Sequence, residues 1–365
     1  MDNQIRVLLN SNNSLKIVID KPANLFIEND LVSVLDEGTT INFSGSGMIK
    51  ADFNNESYSA KSFMLSSATF DEPLQINSKS YNGFIKIVSF KGSLNTINVI
   101  SLEDYLKGVI PSEMPVKSGE DYFEALKAFA ICARTFSLQS INKSGLFDVH
   151  VDVRSQVYGG AGVENPISNR AVDETRGLIL TYDNKPATVF YSSTCGGITE
   201  ESKNVFSAYD IPYLTNVEDG EEPYCNISPN FNWTQTFTKN EIISKLAANG
   251  LIESDFIFTD MFIKSRFYSN HINQLIIVAE KNGNEKEVTL IGNGIRSILK
   301  TDKGILKSNN FEVSIGEDVV TLTGTGWGHG VGLCQWGSIN MGKKGFTYNE
   351  ILSHYFPGTK IDKLK

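Results

Sequence analysis

Residues 101–115 read Ser101-Leu102-Glu103-Asp104-Tyr105-Leu106-Lys107-Gly108-Val109-Ile110-Pro111-Ser112-Glu113-Met114-Pro115. A hydroxyl followed three residues later by an acid has the form of a helix start. Leu102, Tyr105, Leu106 and Val109 then recur at helical spacing. Pro111 is expected to stop this short helix, and Pro115 to push Met114 into extended backbone. Glu113 then sits on a stiff, non-helical corner with Ser112 and Met114 beside it. A carboxyl group shielded from water has a raised pKa and can donate a proton near neutrality. The plain alternative is a solvated loop carboxylate, the commoner state of such a residue.

Beyond Gly119 the spacing predicts the strongest helix of the chain, about Tyr122 to Ile141. Leu126, Phe129, Ala130, Ala133 and Ser137 form one face rich in small residues, which lets another element approach closely. Cys132 lies inside it and reads as a packed thiol. Lys127 and Arg134 are seven apart on one side, roughly 10 Å from each other. They are either a solvated basic edge or the source of one cation facing a groove near Glu113.

The segment before residue 98 reads as β structure. Ile5–Leu9 and Leu15–Ile19 flank a Ser-Asn turn cluster, Asn54-Asn55 marks another turn, and Phe84–Phe90 with Leu94–Ile100 reads as a hairpin. Residues 148 to 215 turn to strands and loops. Gln156-Val157-Tyr158-Gly159-Gly160 combines an amide, an aromatic ring and glycines, which suits a sugar. Ser193-Thr194-Cys195-Gly196-Gly197 is either a lining for a ligand or a plain Gly-rich turn. Trp233 to Val320 reads as an α+β unit, with a helix over Glu241–Asn249 and a hairpin turn at Asn282-Gly283. Gly324 to Gly337 carries glycine at alternate positions and fits no phosphate-loop pattern. Its bare strand face lets another backbone lie against it. His329 within it is a ligand, a base or a core histidine, the last being commonest.

The chain has 365 residues, 41% of them hydrophobic and 21% charged, enough for two or three domains. A net charge of -9 argues against nucleic acid as partner. No apolar run is long enough to span a bilayer, and no signal peptide is visible at Met1-Asp2-Asn3-Gln4. The four cysteines, Cys132, Cys195, Cys225 and Cys334, show no CxxC spacing and are too few for a disulfide scaffold. The expected fold is α+β: a β-rich core with one long buried helix beside the catalytic loop, plus smaller β and α+β domains. The expected divisions are a β-rich segment over 1–98, a catalytic core over 99–215, an inserted α+β domain over 216–320, and a Gly-rich strand with a C-terminal helix over 321–365.

Several blocks, in order, resemble the stage II sporulation protein D family and its amidase-enhancer relatives. They are Leu106–Val109 leading into Pro111–Pro115, Glu124–Ala128 with Ala133–Thr135, Gln156–Tyr158, Ser193–Gly197, Gly326–Gly332, and the tail from Ile351 to Thr359. The resemblance covers about residues 95 to 365. It implies a lytic transglycosylase that cuts peptidoglycan glycan strands between N-acetylmuramic acid and N-acetylglucosamine, on strands denuded of stem peptides, leaving 1,6-anhydro ends. Glu113 falls at the family's catalytic acid. Lys127, Arg134, Gln156, Tyr158, Ser193, Thr194, His329 and Gln335 are the expected substrate-binding residues. The implied partners are glycan strands and a cell-wall amidase, with no nucleic acid. The implied location is extracytoplasmic or cell-wall associated, the export signal being absent through a trimmed or misassigned start.

No cofactor is expected and no metal site is assigned. Some family members bind zinc through His and Cys between the long helix and the Gln-Val-Tyr block, where this chain offers only His150. Cys334 stands where the family commonly has Ser. Cys195 and Cys225 are expected to lie close, as a disulfide or, with Cys334 and with or without His329, as zinc ligands; the disulfide is the favoured version. Two other functions stand beside the transglycosylase. One is a non-catalytic glycan-binding enhancer of an amidase, and the other a hydrolase pairing Glu113 with Asp104 or Glu103.

Overall fold

A computed structural model describes residues 4–206 and 208–364. The fold is mixed α+β and rich in strands, and it divides into two units. The first holds the described residues up to Leu180 and those from Asp362 onward; the second is Thr181–Ile361.

The first unit is built on a seven-stranded sheet. Its order is 149–150, Gln4–Asn12, Ser93–Ser101, Phe84–Phe90, Ser62–Ser67, Ala23–Ile27 and Asp30–Leu35. Alternation of buried and exposed residues puts Ile5 and Val7 inside. The hairpin expected at 84–100 is present, closed by Lys91 and Gly92, both with left-handed φ. Strand 149–150 runs parallel to Gln4–Asn12, so residues beyond the first helices complete the N-terminal sheet.

Strand Ser93–Ser101 feeds directly into helix α1, Leu102–Glu113. Ser101 caps it as its sequence suggests: its Oγ accepts the Asp104 amide at 3.2 Å. Helix α2, Phe123–Ser140, is buried on nearly every side, and α3, Pro166–Glu174, packs against both. Cys132 is fully buried within α2, and burial pushes its thiol well above the usual range.

The second unit has its own core, running from Trp233 and Phe237 through Ile277 to Val320 and Leu322. Two three-stranded sheets enclose it: Asn232–Thr238, Val319–Thr325 and Phe311–Ile315 in one, Ile257–Arg266, Ile272–Lys281 and Asn284–Ile291 in the other. The helix expected after Thr238 spans Lys239–Ala248, with a full capping box between Thr238 and Glu241. The Gly-rich stretch is not the strand expected. The strand Val319–Thr325 ends just inside it; Gly326, Gly328, Gly330 and Gly332 then all have positive φ, so the chain turns repeatedly, and beyond Thr325 only Leu333–Cys334 of this stretch pairs as a strand, parallel to Tyr191–Ser192. A Cβ on Gly332 would lie 2.2 Å from the Phe190 carbonyl oxygen, so close backbone approach is what the glycine provides.

Candidate active site

Glu113 is the last residue of α1 rather than a residue beyond it. Pro111 removes one backbone donor but does not end the helix: the Met114 amide still donates to the Ile110 carbonyl at 2.9 Å, and Ser112 Oγ donates to the Gly108 carbonyl at 2.8 Å. The helix stops at Met114, with φ -126° and ψ 145°, because the residue before Pro115 is driven out of the helical region. The Tyr122 hydroxyl then holds the Pro115 carbonyl at 2.8 Å. The corner is therefore stiff, but the carboxylate projects from a helix end.

The half-buried Glu113 accepts the Val157 amide on Oε1 at 2.7 Å. That amide is aimed by its two neighbours. Gln156 is 0% exposed and Tyr158 is 5% exposed. Gln156 Oε1 accepts from Ser137 Oγ of α2 at 2.8 Å and from the Tyr105 hydroxyl of α1 at 3.4 Å. Tyr158 donates to Asn98 Oδ1 at 2.8 Å, and its ring lies against Tyr105 and over Gly108. A Cβ on Gly108 would come 2.5 Å from that ring. The side chains expected to hold a sugar are thus turned inward, and the residue between them presents its backbone N–H to Glu113. Burial and the Glu113 charge both raise the Tyr105 phenol, which stays protonated as a donor.

Neither cation of α2 is a loose groove residue. Arg134 is 0% exposed and binds Glu103 in a fork, Nε to Oε1 at 2.9 Å and Nη2 to Oε2 at 2.7 Å. Its remaining donors reach the Leu178 and Val172 carbonyls. This buried pair ties the start of α1 to α2 and α3. Lys127 pairs with Glu124 at 2.5 Å and Glu174 at 3.6 Å. The expectation that one of them faces Glu113 gives way to these ion pairs. Asp104 is engaged by Ser101 at the N-terminus of α1.

The other expected residues lie in the second unit. Thr194 is buried and its hydroxyl meets Ser228 Oγ at 3.0 Å; Ser193 is half-buried, and Gln335 is buried at the start of a helix, Gln335–Lys343. The backbone of Thr194 exchanges two hydrogen bonds with Trp327, at 3.0 and 2.8 Å. His329 is structural in its contacts. Its Nδ1 accepts the Val331 amide at 3.0 Å, and its ring sits against Phe206 and Phe190. Burial, helped by Arg296 and His271, lowers it to about 3, so the imidazole is neutral. His271, buried beside Ser269 and Glu200, is lowered to about 4, first by burial and then by Arg296.

Cys195 and Cys225 do lie close, with sulfurs 3.7 Å apart, but the bond between them is not formed and all four cysteines are free. Cys334 joins them, and the fourth member is Asp219 rather than His329. Sequence reasoning missed Asp219, which precedes Gly220 and reads as an ordinary turn. It also missed the Val157 amide, since a backbone donor leaves no mark in side-chain identities. Trp327 is 40% exposed, with Lys307 Nζ 4.9 Å from the ring centre, and offers an aromatic face to solvent.

A single helix-end carboxylate held by a backbone amide, on a β-rich α+β scaffold, defines a candidate acid–base site. Residues 90–182 match the family model described as stage II sporulation protein, and residues 225–332 match a domain of unknown function. The stage II sporulation protein D of Bacillus subtilis is 30% identical over 298 residues, covering 76% of this chain and 79% of that protein. The amidase enhancer of Bacillus subtilis is 30% identical over 297 residues, 70% of this chain and 40% of the enhancer. A protein of Brachyspira hyodysenteriae, named only as uncharacterized, is 33% identical over 298 residues, 78% of this chain and 73% of its own length. The chain belongs to the stage II sporulation protein D family. Among the described residues, no helix is long and apolar enough to cross a membrane.

Proposed function

We propose that the chain is a lytic transglycosylase acting outside the cytoplasm on peptidoglycan glycan strands, with Glu113 as the one acid–base group. The carrying observation is the isolation of Glu113 from the other acids of α1. Glu103 and Asp104 sit at the opposite end of the helix, ten and nine residues away, about 15 Å at 1.5 Å per residue. Both are already engaged, by Arg134 and Ser101. A hydrolase of the inverting kind needs its second carboxylate at ~6.5–9.5 Å and a retaining one at ~5–5.5 Å. One carboxyl group suffices for an intramolecular closure. It protonates the glycosidic oxygen as the bond to muramic C1 breaks, then takes the proton of the C6 hydroxyl as O6 bonds to C1. No water is consumed.

In this reading Gln156 and Tyr158 are positioning residues, which fix the Val157 amide on Glu113 through α1 and α2. Ser193 and the exposed face of Trp327 are the second unit's own candidates for glycan binding, Thr194 and Gln335 being buried. Incubation of purified denuded strands with the protein should yield products with 1,6-anhydro ends by mass spectrometry. Reducing ends instead would mean a hydrolase. No cleavage, with amidase activity stimulated by wild type and by Glu113→Gln alike, would support the enhancer reading that the similarity to the amidase enhancer also favours.

A further inference from the structure

In the second unit three cysteines and one aspartate converge from segments far apart in the chain. Cys195 follows the paired strand Tyr191–Ser192, Asp219 and Cys225 flank a short loop, and Cys334 ends the strand Leu333–Cys334. All four are buried, Asp219 at 0% exposure. One donor atom from each lies within 4.8 Å of every other. We propose that Cys195, Cys225, Cys334 and Asp219 form a closed, structural zinc site.

The sulfur spacing distinguishes a metal site from a disulfide. Zinc–sulfur bonds of about 2.3 Å in a tetrahedron put two sulfurs about 3.8 Å apart. The Cys195–Cys225 separation is 3.7 Å. A disulfide needs about 2.05 Å. Four protein donors with no open position are the mark of a structural rather than a catalytic zinc.

The surroundings orient the donors as an outer shell does. The Cys195 amide donates to Cys334 Sγ at 3.2 Å, and the Cys225 amide donates to Asp219 Oδ2 at 2.7 Å. The Tyr355 hydroxyl donates to Asp219 Oδ1. Gly337 makes room for that last contact: a Cβ there would lie 2.0 Å from the tyrosine oxygen and 2.4 Å from Oδ1. Such partners fix ligand geometry and raise affinity. Binding of the dication releases the protons of its thiol ligands.

The site joins the Ser193–Gly197 loop to the Gly-rich stretch, so it stiffens both without entering the acid–base chemistry. The test uses the full chain purified without chelator. Metal analysis should find about one zinc per chain, and alkylation under denaturing conditions without reductant should modify all four cysteines. Chelator-stripped protein titrated with cobalt(II) should show thiolate-to-cobalt charge-transfer absorption that saturates at one equivalent and is displaced by zinc. Because a Cys225→Ala chain can fail to fold, Tyr355→Phe provides the second arm. It keeps the ring, loses the hydroxyl on Asp219, and should bind zinc ~10–100-fold more weakly. No zinc and no cobalt absorption, or two thiols missing on alkylation, would overturn the proposal. So would a Tyr355→Phe chain with unchanged zinc affinity.

Discussion

The corner that carries Glu113 and the Gly-rich stretch of the second unit solve one problem by different means. Each must hold a non-repetitive segment still. The helix that ends in the corner is held by side chains along its length: a buried Arg134–Glu103 fork at its start, a Gln156 amide bridging α1 and α2, and a tyrosine ring filling the space over Gly108. In the Gly-rich stretch side chains are removed so that backbones can touch, as at Gly332 against Phe190 and in the paired amides of Thr194 and Trp327. A corner braced by side chains fails when a partner is left unpaired. A segment braced by close approach fails when a Cβ is added.

The largest expected effect falls on chemistry alone. Glu113→Gln keeps the shape and the acceptor for the Val157 amide but loses the transferable proton, and strand cleavage should fall ~100–10,000-fold. Cleavage within threefold of wild type, at unchanged stability, would remove Glu113 from its role. Next comes the side-chain brace. Arg134→Met leaves Glu103 buried without its partner and should cost about 3–5 kcal/mol in denaturant unfolding of the first unit. A loss under 1 kcal/mol would mean that water or rearrangement rescues the carboxylate.

The close-approach brace is tested by Gly332→Ala. The added Cβ meets backbone and the φ of 73° is unfavourable for alanine, so a loss of about 1–3 kcal/mol is expected. The three tryptophans, Trp233, Trp327 and Trp336, all lie in the second unit, so their fluorescence reads its unfolding separately. An unshifted fluorescence midpoint would show that the Phe190 segment yields freely.

A change of pH rather than of residue also separates the units. His271 and His329 are held neutral, at about 4 and about 3, against an ordinary value of about 6.5. Protonation is favoured in the unfolded chain first. The stability they contribute is complete above about pH 6.5 and is lost as pH falls toward 4 and then 3. The fluorescence midpoint in urea should therefore drop between pH 7 and pH 4. A flat midpoint over that range would contradict the buried-neutral assignment.

Much of this was legible in the sequence wherever the signal is local. The Ser101–Asp104 helix start, the hairpin over 84–100, the turn at Asn282-Gly283, and the small-residue face of α2 all appear as read. Pro111 misled because a proline in the last turn removes only one donor, and the helix ends where Pro115 acts on Met114. Gln156 and Tyr158 misled because the same amide and ring that suit a sugar also suit a buried brace, and only tertiary contacts choose between them. Alternating glycines read as a bare strand face because sequence does not record the sign of φ. Asp219 stayed hidden because its partners lie six to 136 residues away.

In the proposed reaction one carboxylate works without water as the attacking group. Mass spectrometry of strands cleaved in 18O-water tests it most directly. The expected products are 1,6-anhydromuramic ends carrying no label, lost with Glu113→Gln. Labelled reducing ends would contradict it, because water would then have attacked and a second carboxylate would have to be found.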